Sequence, residues 1–220
     1  MEPRTASTLT DAYSRMTPTH PRLDFSSEEG RRYAMRLAPY LTPLVRPGLR
    51  ALDLGCSFGK SSFLLCELGA SVTGVDVSFG ALRFASNLGR TLHSKSVFVR
   101  TDYARLPFCR ECFELALLPH NVVECSPDEF ALVVTETSRV LVAGGIFAVS
   151  VSDKWADVSD PTLSLRNTTD TLPGDVTYAY PTYSWSCDAV QSAVSCAFRT
   201  VKLVKMPERD GTWMVFSKNP

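Results

Sequence analysis

Residues 52–59, Leu52-Asp53-Leu54-Gly55-Cys56-Ser57-Phe58-Gly59, limit the fold more than any other stretch of the chain. A short apolar run, Arg50 to Leu54, ends in an acid and a glycine. A second glycine stands at Gly59, and a helical pattern follows from Lys60 to Leu68. That order is strand, tight glycine turn, helix. Glycine lets a ligand approach the backbone closely, and the start of the helix offers unpaired N–H groups. Further on, Val72-Thr73-Gly74-Val75-Asp76 gives a second strand that again ends in an acid. An acid there is placed to bind both hydroxyls of a ribose. The stretch 50–76 therefore predicts half of a parallel α/β unit built for a nucleoside-containing ligand.

The alternation continues. Helix 60–68 is closed by Gly69, strand two covers 71–75, and Ser78 caps a helix to about Leu88. Strands follow at 96–100 and 113–118, then a helix over about 128–141 with Phe130, Val133, Val134, Val140 and Leu141 on one stripe. Gly144-Gly145 turns the chain into a fifth strand, 146–151. Strand–helix alternation of this kind calls for a parallel sheet covered by helices on both faces. The rhythm then breaks. Residues 154–185 contain Pro161, Pro173 and Pro181 and the aromatics Trp155, Tyr178, Tyr180, Tyr183 and Trp185, and they predict a long irregular segment. Ser186 caps a last helix, about 187–197. Two strands, 200–206 and 212–217, close the chain as an antiparallel hairpin turned at Asp210-Gly211.

At the other end, residues 1–25 are polar and punctuated by proline. Ser26-Ser27-Glu28-Glu29 opens a helix that runs to Leu37 or Leu44 and is bent or broken at Pro39 and Pro43. Lysine plus arginine equals aspartate plus glutamate, 23 each, so no basic excess argues for a nucleic-acid partner. No run of about 18 apolar residues predicts a membrane span, and the first ten residues lack the apolar core of a signal peptide. Seven cysteines is an odd number, and several fall within strand or helix patterns. They predict reduced thiols in a cytoplasmic protein.

The dinucleotide fingerprint G-x-G-x-x-G fails here, because Ser57 and Lys60 stand where its later glycines belong. Asp53 is also a poor neighbour for a pyrophosphate. The pattern Asp-x-Gly-x-Gly-x-Gly, with Ser57 in the middle glycine place, resembles motif I of the class I S-adenosylmethionine (SAM) methyltransferases. SAM carries an ammonium and a sulfonium and no phosphate, which suits the acid. The closing antiparallel hairpin resembles the same family, and the likeness covers roughly residues 35–218. It implies a Rossmann-like, seven-stranded, mostly parallel sheet with a C-terminal antiparallel hairpin and helices on both faces. Residues 1–220 would form one domain, with 1–45 as an N-terminal cap and 154–185 as an insertion on the substrate side.

The resemblance also assigns residues. Asp53, Gly55, Cys56, Ser57 and Gly59 would hold the methionine part of SAM, Asp53 reaching the ammonium directly or through water. Asp76 would hold the ribose hydroxyls and Val77 the adenine face. In Thr101-Asp102-Tyr103-Ala104, Asp102 would accept from the adenine amino group and Tyr103 would cover the ring or lie exposed. Phe113-Glu114 stands where the family commonly has Phe-Asp. Pro119 would offer a carbonyl near the cofactor, and His120 is the one imidazole at a strand end, a candidate general base. Tyr13, Trp155, Tyr180 and Tyr183, with the other aromatics of 155–185, are candidates for the substrate wall.

Cys109-Arg110-Glu111-Cys112 has C-x-x-C spacing without a second pair, and no acid cluster marks a metal site, so no metal is predicted. The expected activity is methyl transfer to an O or N atom of a small molecule, releasing S-adenosylhomocysteine. Two rivals stand beside it. One is a SAM-binding regulatory or assembly subunit without activity. The other is an RNA or protein methyltransferase using Arg31, Arg32, Arg36, Arg46 and Arg50. Pro119-His120-Asn121-Val122 replaces the N-P-P-Y type signature of the amino-methylating nucleic-acid enzymes. The sequence leaves room for a homodimer.

Overall fold

The computed structural model describes residues 24–119, 125–152, 165–172, 176–183, 185–207 and 211–220, with the backbone alone for 152 and 165–182. Nine strands are present among these residues: β1 (Arg50–Leu54), β2 (Ser71–Asp76), β3 (Val97–Arg100), β4 (Phe113–Leu118), β5 (Leu141–Ser152), β6 (Leu165–Leu172), β7 (Val176–Tyr183), β8 (Phe198–Met206) and β9 (Gly211–Lys218). The helices are α1 (Glu28–Met35), α2 (Ala38–Leu41), α3 (Lys60–Glu67), α4 (Phe79–Thr91), α5 (Pro127–Val140) and α6 (Cys187–Val194).

Seven strands form one sheet in the order β3-β2-β1-β4-β5-β9-β8. The first five are parallel, and β9 runs antiparallel to both β5 and β8. This is the sheet the resemblance implied. Because β1 to β4 run the same way, their carboxyl ends lie side by side. In register, Asp53 pairs with Gly74 on one side and Leu117 on the other, and Asp76 pairs with Arg100. Two apolar clusters pack the sheet. One joins Leu52, Leu54, Phe130, Phe147 and Trp185, and the other joins Ala51, Phe63, Leu65, Val72 and Trp213. Every residue of β1 after Arg50 is buried, as a strand covered on both faces requires.

Local sequence explains most ends. Ser27, Ser78, Ser126 and Ser186 each accept a backbone N–H in the first turn of α1, α4, α5 and α6. Ser126 and Glu129 complete a reciprocal capping box on α5. The prolines at 39 and 43 break the N-terminal helix as expected. α1 stops at Met35, α2 is a short piece with Pro39 in its first turn, and residues 42–44 make a 3₁₀ turn. α4 runs past Leu88 to Thr91. The last helix ends at Val194, short of Ala197, and the strand after it starts two residues before Thr200, at Phe198. The Gly144-Gly145 pair sits within an irregularity: β4 and β5 pair at Phe113–Leu141, then resume at Leu115–Ile146, and Gly144 takes φ +70°.

The segment 154–185 corrects the sequence reading. Instead of remaining irregular, its described part forms an antiparallel ribbon in which β6 and β7 pair from Leu165–Tyr183 to Leu172–Val176. Threonines, valine and tyrosines give the ribbon its β propensity. Pro181 lies inside β7 opposite Asn167. A two-stranded ribbon leaves each strand one unpaired edge, so a residue without an N–H is tolerated there.

No helix among the described residues is long and apolar enough to cross a membrane.

Candidate functional site

Asp53, at the end of β1, is fully buried. Its Oδ2 accepts from Ser61 Oγ at 2.8 Å and Ser62 Oγ at 2.6 Å, both in the first turn of α3. Its Oδ1 is buried and has no donor among the described residues. Burial raises the carboxyl to about 6, against the pull of the two serine hydroxyls, and nearby Asp76 adds to the rise. A buried acceptor left unmet costs free energy. It is the kind of group that an incoming ammonium would satisfy.

The turn after β1 is tied to the end of β2. Cys56 N–H donates to the Val75 carbonyl at 2.9 Å. Ser57 N–H donates to Asp76 Oδ2 at 2.9 Å, and Ser78 N–H to Asp76 Oδ1 at 2.8 Å. Each carboxylate oxygen has a second lone pair, so Asp76 can still accept two hydroxyls. Desolvation raises its pKa above the ordinary carboxylate value, against three backbone N–H groups that lower it. Ser57, in the family's middle glycine place, takes φ +49°, so the serine adopts a glycine-like backbone there. Gly55 and Gly59 are left-handed too. Cys56 is buried, and burial pushes its thiol well above the usual range. It acts as a small apolar group.

Gly59 shows why the turn closes on glycine. A Cβ there would lie 3.0 Å from Phe63 Cε2, 3.0 Å from Phe98 Cζ and 3.2 Å from Ala85 Cβ, on a backbone at φ +81°. Gly59→Ala should therefore destabilise the fold by roughly 2–4 kcal/mol, from left-handed strain plus overpacking. Urea unfolding checks this, and a loss under about 0.5 kcal/mol would contradict it.

The remaining assigned positions sit on the same rim. Val77 is half-buried, and its carbonyl accepts from Arg100 Nε at 3.0 Å. Asp102 is exposed, and its Oδ1 accepts from Ala104 N–H at 2.8 Å. Thr101 N–H donates to the Asp76 carbonyl at 3.1 Å, which joins the adenine-side loop to the ribose-side acid. Tyr103 is half-buried, its hydroxyl 3.7 Å from Cys125 Sγ. Pro119 follows the last residue of β4 and is half-buried. Tyr183 is half-buried against the core. Tyr13, His120 and Trp155, and the side chain of Tyr180, lie outside the described residues.

Three features escaped the sequence reading. Ser61 and Ser62 hold Asp53, and their one signal was a pair of serines in an otherwise apolar buried turn. Gly74 of β2 leaves room for the turn: a Cβ there would stand 2.8 Å from Cys56 Sγ and 2.9 Å from Ser62 Oγ. Trp185 belongs to the core and is no part of a substrate wall. It is 2% exposed, lies edge-on to Phe130 at 4.8 Å, and donates from Nε1 to the Cys125 carbonyl at 3.0 Å. Cys125 thereby joins the end of the ribbon segment to the loop that carries Tyr103. Trp185→Phe removes this buried hydrogen bond and should cost about 1 kcal/mol in chemical unfolding.

Several other residues have partners within the fold. Glu114 accepts from Arg50 N–H at 3.1 Å and pairs with Arg46 and Arg50, which hold its carboxyl below the ordinary value. Arg31 pairs with Glu67 at 2.8 Å, and Arg36 lies over the Tyr33 ring. Four of the five arginines considered for RNA thus have partners within the chain. In the C-x-x-C turn, Cys112 Sγ donates to the Cys109 carbonyl at 3.0 Å. No group of three or more His, Cys, Asp or Glu among the described residues could hold a metal ion.

Comparison with known proteins agrees with this geometry. Residues 52–149 match the family model described as a methyltransferase domain. The chain is 26% identical over 170 residues to sterol 24-C-methyltransferase of Schizosaccharomyces pombe, covering 76% of this chain and 44% of that protein. It is 34% identical over 157 residues to ubiquinone biosynthesis O-methyltransferase of Nitrobacter winogradskyi, covering 66% and 55%. The chain spans about half the length of the curated relatives it matches. A solved Pyrococcus horikoshii protein shares the fold with a TM-score of 0.76 at 24% identity, over 94% of this chain and 99% of that one. Residues 52–149, with their glycine turn between two strand-end acids, are thus those of a methyltransferase domain, set in a seven-stranded, mostly parallel sheet.

Proposed function

We propose that the protein transfers the methyl group of SAM to a small-molecule acceptor by in-line displacement. The observation that carries this reading is the unmet Oδ1 of buried Asp53 beside Asp76, an acceptor pair matched to a ligand with an ammonium at one end and a ribose at the other. Asp53 would receive the ammonium, the backbone from Gly55 to Gly59 the methionine part, Asp76 the ribose and Asp102 the adenine amino group. SAM supplies the reactive methyl, and the chain supplies position and dryness. His120 is the candidate base for an acceptor hydroxyl or amine.

The acceptor would be an O or N nucleophile with an apolar or flat body, seated against the insertion 154–185 and the N-terminal cap. Two relatives carry names that specify methylation of a sterol carbon and O-methylation in ubiquinone biosynthesis. They favour an apolar acceptor and add carbon to the candidate atoms. The test is S-adenosylhomocysteine release from SAM with a panel of phenols, amines and isoprenoid alkenes, repeated with His120→Ala. Turnover of a phenol or amine that falls about a hundredfold in the variant supports the reading with His120 as base. Turnover unchanged in the variant removes His120 from the chemistry. Binding of SAM with no turnover of any class favours a regulatory subunit.

A further inference from the structure

A groove of about 290 Å³ lies between α4 and edge strand β3, its Phe98 packed under Gly59 of the turn. Its lining divides by chemistry. Phe79, Leu82 and Phe98 give an apolar floor, and Arg83, Arg90 and Arg100 surround it, with Ser86 and Asn87 between. Among the described residues no aspartate or glutamate lines it. None of the three arginines makes an ion pair among the described residues, although the whole chain is balanced in charge. Two of them are held in place by neutral partners: Arg90 by Asn87, and Arg100 by the Val77 carbonyl at 3.0 Å. Phe79 is 57% exposed beside them.

We propose that this groove docks an extended acidic segment of a partner protein through an apolar anchor. Charge complementarity favours the acid, since none of the three guanidinium groups is ion-paired to a carboxylate among the described residues. Spacing favours a chain over a single anion. Arg83 and Arg90 stand two helical turns apart, about 10 Å along α4, so together they present a row of positive charge along the groove. Successive side chains on one face of an extended strand repeat about every 7 Å, so two neighbouring acids on that face come within reach of two guanidinium groups whose flexible stems are rooted about 10 Å apart. The outer edge of β3 has no strand partner among the described residues and offers backbone donors and acceptors for an added strand. The apolar residue would sit over Leu82 and Phe98, with its neighbours' carboxylates bidentate to the rim arginines.

The experiment is fluorescence anisotropy at low salt with a fluorescein-labelled peptide of alternating glutamate and leucine. Comparison probes are oligo-glutamate, alternating lysine and leucine, and single-stranded polyuridylate. The proposal expects binding of the first probe alone, weakened about tenfold or more by Arg83→Glu with Arg90→Glu and by Phe79→Ser. Both variants should bind SAM as the parent does, which shows that they fold. Equal binding of oligo-glutamate would overturn the apolar anchor. Polyuridylate binding that the charge-reversed variant abolishes would assign the groove to nucleic acid and overturn the proposal. No binding of the first probe, or binding unchanged in the variants, would also overturn it.

Discussion

Alanine at position 76 is expected to weaken SAM binding about a hundredfold or more. Hydrogen bonds to a charged group are worth roughly 1.5–3 kcal/mol each, and two ribose hydroxyls would be lost together. The carboxylate also organises the unliganded site. Its Oδ2 holds Ser57 N–H in the glycine turn, and its Oδ1 holds Ser78 N–H at the start of α4. Removing it therefore loosens the turn as well as the ribose contact. Asp76→Asn separates the two effects, because the amide keeps one acceptor and the shape but places an NH₂ group against a backbone N–H. Calorimetric titration with SAM and S-adenosylhomocysteine gives the readout, with circular dichroism as the check on folding. Binding by folded Asp76→Ala within about threefold of the parent would remove Asp76 from the site.

Residues whose role follows from backbone geometry were readable from the sequence. The run Asp53 to Gly59 announced a strand end, a left-handed turn and a helix start, and the structure has each in place, with Ser57 standing in for glycine at φ +49°. Strand-end acids were readable for the same reason: parallel strands deliver their last residues to a common edge. Side-chain pairings across the fold were not. Nothing in Lys60-Ser61-Ser62-Phe63 says that both hydroxyls turn back onto Asp53, because that depends on how α3 lies against β1. Trp185 was misread because an aromatic in a proline-rich stretch has the same composition whether it lines a pocket or fills the core. Only its bond to the Cys125 carbonyl and its ring contact with Phe130 decide the matter. The ribbon at 165–183 was hidden by Pro181, which argues against a central strand but not against one with a free edge.

Asp53 leads to the second large effect, in which stability and affinity move in opposite directions with pH. Burial raises the carboxyl from 3.8 to about 6 in the folded chain. Below about pH 4 it is protonated in both folded and unfolded states and contributes nothing to their difference. Between about pH 4 and 6 the folded state holds a proton that the unfolded state has released, so stability falls as pH rises. Above about pH 6 the charged form remains in the fold at a cost of about 3 kcal/mol, two pH units' worth. A ligand ammonium needs that charged form, so SAM affinity is expected to rise through the same window in which the unliganded protein loses stability. Asp53→Asn uncouples the two. An amide oxygen can still accept from Ser61 and Ser62, and no charge is buried. The variant should melt higher than the parent near neutral pH, and its SAM affinity should be low and nearly flat between about pH 5 and 7. Thermal unfolding without ligand and calorimetry with SAM across that range measure both halves. A variant that keeps the parent's rise in affinity would transfer the pH dependence to Asp76, whose pKa is also raised by burial. Lower melting near neutral pH would show that the two serine hydroxyls need the carboxylate charge more than the core resists it.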